Sequence, residues 1–591
     1  MLPAGSVLIK LLPADLYNRT YPRGGNAMLL TRNIMVLMRD GIHLATDLYL
    51  PEGAGPFPVL VNRTPYNKEG MEGSLEIQAY VDAGYAVVIQ DVRGRYHSEG
   101  LFEPHQREIE DGEDCLAWVR QQQFCNGHLG MFGRSYHAGT QWYAAMTSPE
   151  GLDALIPIVS FDDEYSGSSY QNGAKVLHDL RWTVANIIPD IMERAKAAGE
   201  EVTLSAPEVY NCLDQIPLAS DPAVEQYAKY YVDWMKHDTY DEYWKRIAPK
   251  EAYDKVLVPT LNISGWYDIF VSATPRNYRG MRDHGGTEAA RKNSRLIMGP
   301  WTHMDFSGKL NGFDFGPEAG EDAIDLTGIM VNWFDHWLKG QGRTDDPEKP
   351  VKIFVMGENK WRDETDWPLP DTTYIPYYLH SSGNAKLENG RLSMDLPGDE
   401  KADSFIYDPL NPVPTVGGQV ILPGEGAIGP RDQQKVEQRE DVLVFETEEL
   451  KENLTVIGPL TARLYISSDC ADTDFTAKLT DVSPDGTSML LSDGILRVRY
   501  RNSPDLSETE LMKPGNIYPI EIDVMNTANT FLPGHKARLS ISSSNFPRFN
   551  RNSNSGGDIA FESIEQYRKA ENMVYHDTEH PSCLILPVIR R

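Results

Sequence analysis

Cysteine is scarce in this chain: the five present, Cys115, Cys125, Cys212, Cys470 and Cys583 among 591 residues, show no C-x-x-C spacing. An odd, sparse set argues against a disulfide framework or a zinc knuckle and fits a reducing compartment, so the expected location is cytoplasmic. Basic residues are short as well, 56 against 86 acidic ones, for a net charge of −30. A surface of that sign repels phosphate backbones and anionic lipid, which argues against nucleic-acid and membrane-surface partners. Long apolar runs are missing too. Ser6 to Pro13 is too short and too interrupted for a secretory core or a membrane span. With no leader expected, the sequons at Asn18 and Asn62 read as chance matches. No internal repeat is found.

What remains is the composition of a globular protein, 41% hydrophobic and 24% charged, in a chain long enough for about three or four domains. Residues 34 to 50 alternate on both sides of Arg39-Asp-Gly41, a hairpin signal. Short continuous apolar runs follow at 58–61, 85–89, 129–132, 155–159, 260–263 and 296–298, as expected of strands buried on both faces of a parallel sheet. Helix-like segments at 107–122 and 136–146 lie between them, so the fold class is α/β with helices on both faces. About a hundred residues interrupt that rhythm after Val159. An insertion between core strands usually packs over the strand ends, and this one reads as a mainly helical cap. After a linker at 340–350, short alternating strands with turn signals predict a β-sandwich or jelly roll. The expected organisation is an α/β core at 1–160 and 256–345, a helical cap at 161–255 and a C-terminal all-β sandwich or jelly-roll domain at 351–591.

The chemistry concentrates at Leu129 to Tyr136, where an apolar run ends in Gly133, Arg134 and Ser135. A strand that turns sharply into a helix needs a small residue two before the nucleophile and lifts the serine hydroxyl above the sheet edge. The Tyr136 amide then sits at the positive end of the next helix, where it can donate to an oxyanion. A serine needs a histidine to take its proton and a carboxylate to orient that histidine, and in α/β hydrolases these follow in the order acid, then histidine. The run at 260–263 leads into Asp268 and the run at 296–298 into His303, each just past a strand's carboxyl end. Taken singly, an aspartate placed as Asp268 is more commonly an Asx-turn residue, and His303 could be one hydrogen-bonded surface histidine among 14. Order and joint placement favour the triad. His137 would point along the helix, away from Ser135. Tyr66, after the strand at 59–61, offers either a phenolic oxyanion donor or an aromatic packed beneath the cap. Phe270 divides evenly between acyl pocket and plain packing. Asp162, Asp163 and Glu164 read first as a solvated acidic turn.

Stretches along nearly the whole length resemble the cocaine esterase family, which is related to α-amino acid ester hydrolases and X-prolyl dipeptidyl peptidases. They are Arg63 to Lys68, Gln90 to Gly94, Gly130 to Tyr136, Gly265 to Asp268, Gly299 to His303, Trp361 to Pro370, Asp472 to Lys478 and Ser542 to Pro547. The resemblance implies Ser135 as nucleophile, His303 as base, Asp268 as its orienting acid, and Tyr66 with the Tyr136 amide as the oxyanion hole. It also implies an α/β-hydrolase core with an inserted helical cap and a C-terminal all-β jelly-roll domain. One departure is Ala138, which stands where that family has the last glycine of its elbow motif, with Gly139 following. The resemblance is weakest in the cap, where Asp162 to Glu164 could also read a substrate ammonium.

The expected function is a serine hydrolase that cleaves a small-molecule ester or amide through an acyl-enzyme, with no metal or organic cofactor needed. A peptidase removing N-terminal Xaa-Pro dipeptides and an α-amino acid ester or amide acylase are the alternatives within enzymes. A catalytically idle hydrolase fold that binds carbohydrate or a partner is the alternative outside them. Monomer and homodimer both stay open.

Overall fold

The computed structural model describes residues 28–590 apart from 71–76, 311, 343–345 and 422–427. The Ser6–Pro13 stretch, the Asn18 sequon and part of the 340–350 linker lie outside the described residues.

Ten strands form one sheet, in the spatial order 28–37, 43–51, 86–91, 57–64, 125–134, 152–158, 261–267, 295–302, 351–355 and 360–364. The first two make the expected hairpin, with Leu37 opposite His43. From 86–91 to 351–355 all neighbours are parallel. Successive residues of the central strands feed opposite faces. Val59 and Val61 pack with the helices Glu108–Arg120 and Tyr136–Ala145, whereas Leu60 packs with Ile77–Asp82 and Leu326–Lys339. A strand covered on both faces needs apolar side chains at every position, hence the unbroken runs.

The order also fixes where a ligand can sit. The chain passes from 57–64 outward to 86–91 and returns to 125–134 on the other side. The loops that leave the carboxyl ends of 57–64 and 125–134 therefore diverge, opening a crevice at this switch point. Tyr66 lies in the first of these loops and Ser135 in the second.

The first sheet takes in two strands that lie beyond the expected boundary at 351. Val351–Val355 pairs parallel with Arg295–Thr302, Lys360–Glu364 pairs with Val351–Val355, and both strands extend the first sheet. Val351, Ile353, Phe354 and Val355 are all fully buried, so this segment is a two-faced core strand rather than part of an alternating β domain. The second sheet begins at Thr373–His380. It holds eleven strands, antiparallel except for one short bridge between Arg391 and Glu446. Between 159 and 260 the chain forms short helices, including His178–Trp182, Ile188–Ala197 and Lys229–Lys236. Among the described residues no helix is long and apolar enough to cross a membrane. All five cysteines are free thiols. Asn62 is buried and donates to the Phe132 carbonyl at 2.8 Å, which leaves its side chain inaccessible for glycosylation.

Candidate active site

Ser135 sits at a strained corner. Its φ of 60° and ψ of −123° lie outside the regions a non-glycine residue prefers, and its amide donates to Ile158 O at 2.9 Å. Gly133, at φ 138°, allows the turn, since a Cβ there would lie 2.4 Å from Asn62 Nδ2 and 2.6 Å from His137 Cβ. The residue that must be small on the helix is Gly139, whose Cβ would meet the Phe161 ring at 2.5 Å. Ala138 is buried, and the close approach falls one residue later than the family's motif suggests. Tyr136 is the first residue of its helix, so its amide has no intrahelical acceptor.

Asp268 follows the strand Leu261–Tyr267, and His303 follows the adjacent parallel strand Arg295–Thr302. Adjacent parallel strands deliver both side chains at the same edge. His303 Nδ1 lies 2.7 Å from Asp268 Oδ1, and Ser264 Oγ donates to Asp268 Oδ2 at 2.6 Å. The carboxylate draws the hydrogen to Nδ1 and leaves Nε2 as the acceptor. Phe270 packs its edge on the His303 ring, 5.6 Å between centroids, and lines the same cavity.

That cavity has a volume of about 730 Å³ and lies between the strand ends and the cap, with Ser135, His303, Tyr66 and Trp182 in its walls. The Ser135 hydroxyl lies beside that of Tyr66. Among the described residues no hydrogen bond joins Ser135 to the imidazole; such bonds often tighten only when substrate binds. Trp182 Nε1 donates to Tyr66 Oη at 3.0 Å. Burial pushes the Tyr66 hydroxyl up to about 12, so it keeps its proton, and with Trp182 as its donor that proton is free to point elsewhere. The loop beneath is fixed by Tyr66 N donating to Thr64 Oγ1 (3.0 Å) and by Lys68 N donating to Asp91 Oδ1 (2.8 Å). His137 points away from Ser135, with Nε2 3.1 Å from Thr64 Oγ1, and burial pushes it down to about 3, so it stays neutral.

The acidic triplet is not a solvated turn. Asp162, Asp163 and Glu164 are all buried. Asp162 is clasped by Arg276 (2.6 and 2.9 Å) and Asp163 by Lys250 (2.7 Å), two cations too distant in sequence to be seen from the triplet itself. Glu164 lines the cavity. Its Oε2 has no hydrogen-bond partner, His105 Nε2 lies 3.4 Å away, and burial holds the carboxyl well above its usual range. Asp179, on the cap helix with Trp182, joins it in the cavity wall. One Asp179 oxygen binds the buried Lys175 ammonium and the other, Oδ1, is unpartnered. Lys175 is further held over the Tyr170 and Tyr231 rings, 4.9 Å from each. Asp179, Lys175 and Trp182 were missed from sequence. Their one local signal is the spacing of Asp179 and Trp182, three apart on one face of the helix His178–Trp182, whereas Lys175 lies before it in the strand Ala174–Lys175.

The family model for the X-Pro dipeptidyl-peptidase (S15 family) matches residues 40–305, and that for the X-Pro dipeptidyl-peptidase C-terminal non-catalytic domain matches 344–585. The chain is 40% identical over 574 residues to a cocaine esterase of Rhodococcus sp., covering 95% of this chain and 98% of that one. It is 26% identical to a putative serine esterase of Mycobacterium tuberculosis, over 94% and 95% of the two chains. Among solved structures it resembles an α-amino acid ester hydrolase (TM-score 0.79, 26% identity, 98% and 99% covered). It also resembles an aminopeptidase from a marine sediment archaeon, Thaumarchaeota archaeon (TM-score 0.81, 26% identity, 100% and 99% covered).

Proposed function

The chain belongs to the cocaine esterase family of serine hydrolases, and from that membership we propose that Ser135, His303 and Asp268 are its catalytic triad, with Tyr66 and the Tyr136 amide as the oxyanion hole. The protein is a serine hydrolase that cleaves carboxylic esters. Ser135 Oγ attacks the ester carbonyl while His303 Nε2 takes its proton. Asp268 keeps the imidazole in the right tautomer and offsets the imidazolium charge. The tetrahedral oxygen accepts hydrogen bonds from the Tyr66 hydroxyl and the Tyr136 N–H. His303 then gives its proton to the leaving alcohol, which departs as the acyl-Ser135 ester forms. Water, deprotonated by the same Nε2, attacks that ester, releases the carboxylic acid and restores the serine.

The observation that carries this reading is the buried 2.7 Å contact of His303 with Asp268 in the wall of the cavity that Ser135 enters from its strained corner. Scaffold stability alone gives no reason to bury that pair there, which counts against an idle fold. Replacing Ser135 with alanine should lower turnover of a p-nitrophenyl ester by about 10⁶-fold with the fold intact; unchanged turnover would remove the assignment.

A second reading concerns the acyl group. Glu164 and Asp179 both line the cavity, each has one buried carboxylate oxygen that accepts no hydrogen bond, and the Lys175 ammonium binds the other oxygen of Asp179. An unmatched buried acid costs free energy that a substrate ammonium would recover, which favours an ester or amide of an α-amino acid. The five free thiols favour a cytoplasmic location. The all-β portion reads as a jelly roll, and since one chain supplies every group in the mechanism, the chemistry sets no requirement for a homodimer.

A further inference from the structure

Arg95 is fully buried, yet it is absent from the chemistry just described. Taking a guanidinium out of water is costly unless its donors are matched, and here the matching is specific. Nε donates to Pro65 O at 2.9 Å, Nη1 to Ile187 O at 2.9 Å and Nη2 to Asn186 O at 2.8 Å. Asp190 Oδ2 lies 3.4 Å from Nη1, and the Tyr96 and Phe102 rings flank the plane at 5.0 and 5.2 Å.

These acceptors belong to two separate parts of the site. Pro65 immediately precedes Tyr66. Asn186 and Ile187 close the wide helical turn Thr183–Ile187, which starts directly after Trp182. The hydrogen bond from Trp182 Nε1 to Tyr66 Oη therefore has both ends tied down by one side chain. The surrounding loop repeats the attachment, with Tyr96 N donating to Asp190 Oδ2 at 3.2 Å and Arg194 donating to Tyr96 O.

We propose that Arg95 is a positioning residue for the oxyanion hole: it locks the Tyr66 loop to the cap turn behind Trp182, so that the cap's placement sets the direction of the Tyr66 hydroxyl. The inference rests on the reading of Tyr66 as an oxyanion donor. Lysine cannot substitute, because a single ammonium lacks the planar fork that reaches three carbonyls on two segments. A misplacement of about 1 Å in such a donor costs about 10²-fold in rate.

A double-mutant cycle on a p-nitrophenyl ester tests it. Tyr66→Phe should lower kcat by about 10²- to 10³-fold, and Arg95→Met by about 10²-fold with KM little changed. In the Tyr66→Phe background Arg95→Met should cost almost nothing more, since the donor it positions is gone. Arg95→Lys keeps the charge and carries the same cycle should the methionine variant not fold, and it too should lose kcat. Losses that multiply in the double variant, or Arg95 variants that lower the melting temperature at unchanged kcat, would overturn the proposal while leaving Tyr66 as donor. A silent Tyr66→Phe would overturn the oxyanion reading itself and the role of Arg95 with it.

Discussion

The two walls of the cavity treat buried carboxylates in opposite ways. On the sheet side both oxygens of Asp268 are matched, one by Ser264 and one by His303. On the cap side Glu164 and Asp179 each keep an oxygen that accepts no hydrogen bond, and Lys175 binds only the other oxygen of Asp179. A buried acid with every lone pair satisfied has one orientation and one role, which suits a group that must hold an imidazole for the whole reaction cycle. An acid with a lone pair to spare is strained without a ligand and relieved with one, which suits recognition. The difference shows in protonation too, since burial without a full set of donors holds Glu164 well above the ordinary carboxyl range.

The largest effect that tests this contrast is on the sheet side. Asp268→Asn keeps the volume but removes the charge that fixes the histidine tautomer, and kcat should fall by about 10⁴-fold. An effect confined to KM would show that Asp268 shapes the pocket rather than the base. The Arg95 and Tyr66 variants probe the seam between the walls, with expected losses near 10²-fold in kcat. The smallest effect is on the cap side. Glu164→Gln should raise KM for an α-amino acid p-nitrophenyl ester by about tenfold or more, yet leave the corresponding ester without the amine nearly untouched. Because the Glu164 carboxyl is raised, lowering the pH through its titration adds a proton and removes its hold on an ammonium. KM for the amino ester should therefore rise as pH falls in the native protein, and this dependence should be absent in Glu164→Gln. Equal changes for both esters would return Glu164 to a packing role.

The same two walls differed in how far sequence could reach them. Ser135, Asp268 and His303 follow directly after apolar runs, so the rule that parallel strands deliver residues at one edge placed all three. Tyr66 was legible for the same reason, although its donor Trp182 was not. The cap resisted because its charges are settled by tertiary partners. Asp162 meets Arg276 and Asp163 meets Lys250 about a hundred residues away, and nothing in Asp-Asp-Glu distinguishes that outcome from a solvated turn. Lys175 becomes a buried cation only through the Tyr170, Tyr231 and Asp179 around it. Sheet membership was hidden for a related reason, since Val351 to Val355 has the composition of a short β-domain strand and only its parallel pairing with Arg295–Thr302 shows which sheet owns it.

The central claim is that Ser135 becomes an activated nucleophile through His303. Labelling the folded protein with a fluorophosphonate and mapping the modified peptide tests this most directly. The account predicts a single adduct on Ser135 whose formation is slowed by orders of magnitude in His303→Ala. An adduct on another serine, or labelling of Ser135 at an undiminished rate without the imidazole, would contradict it.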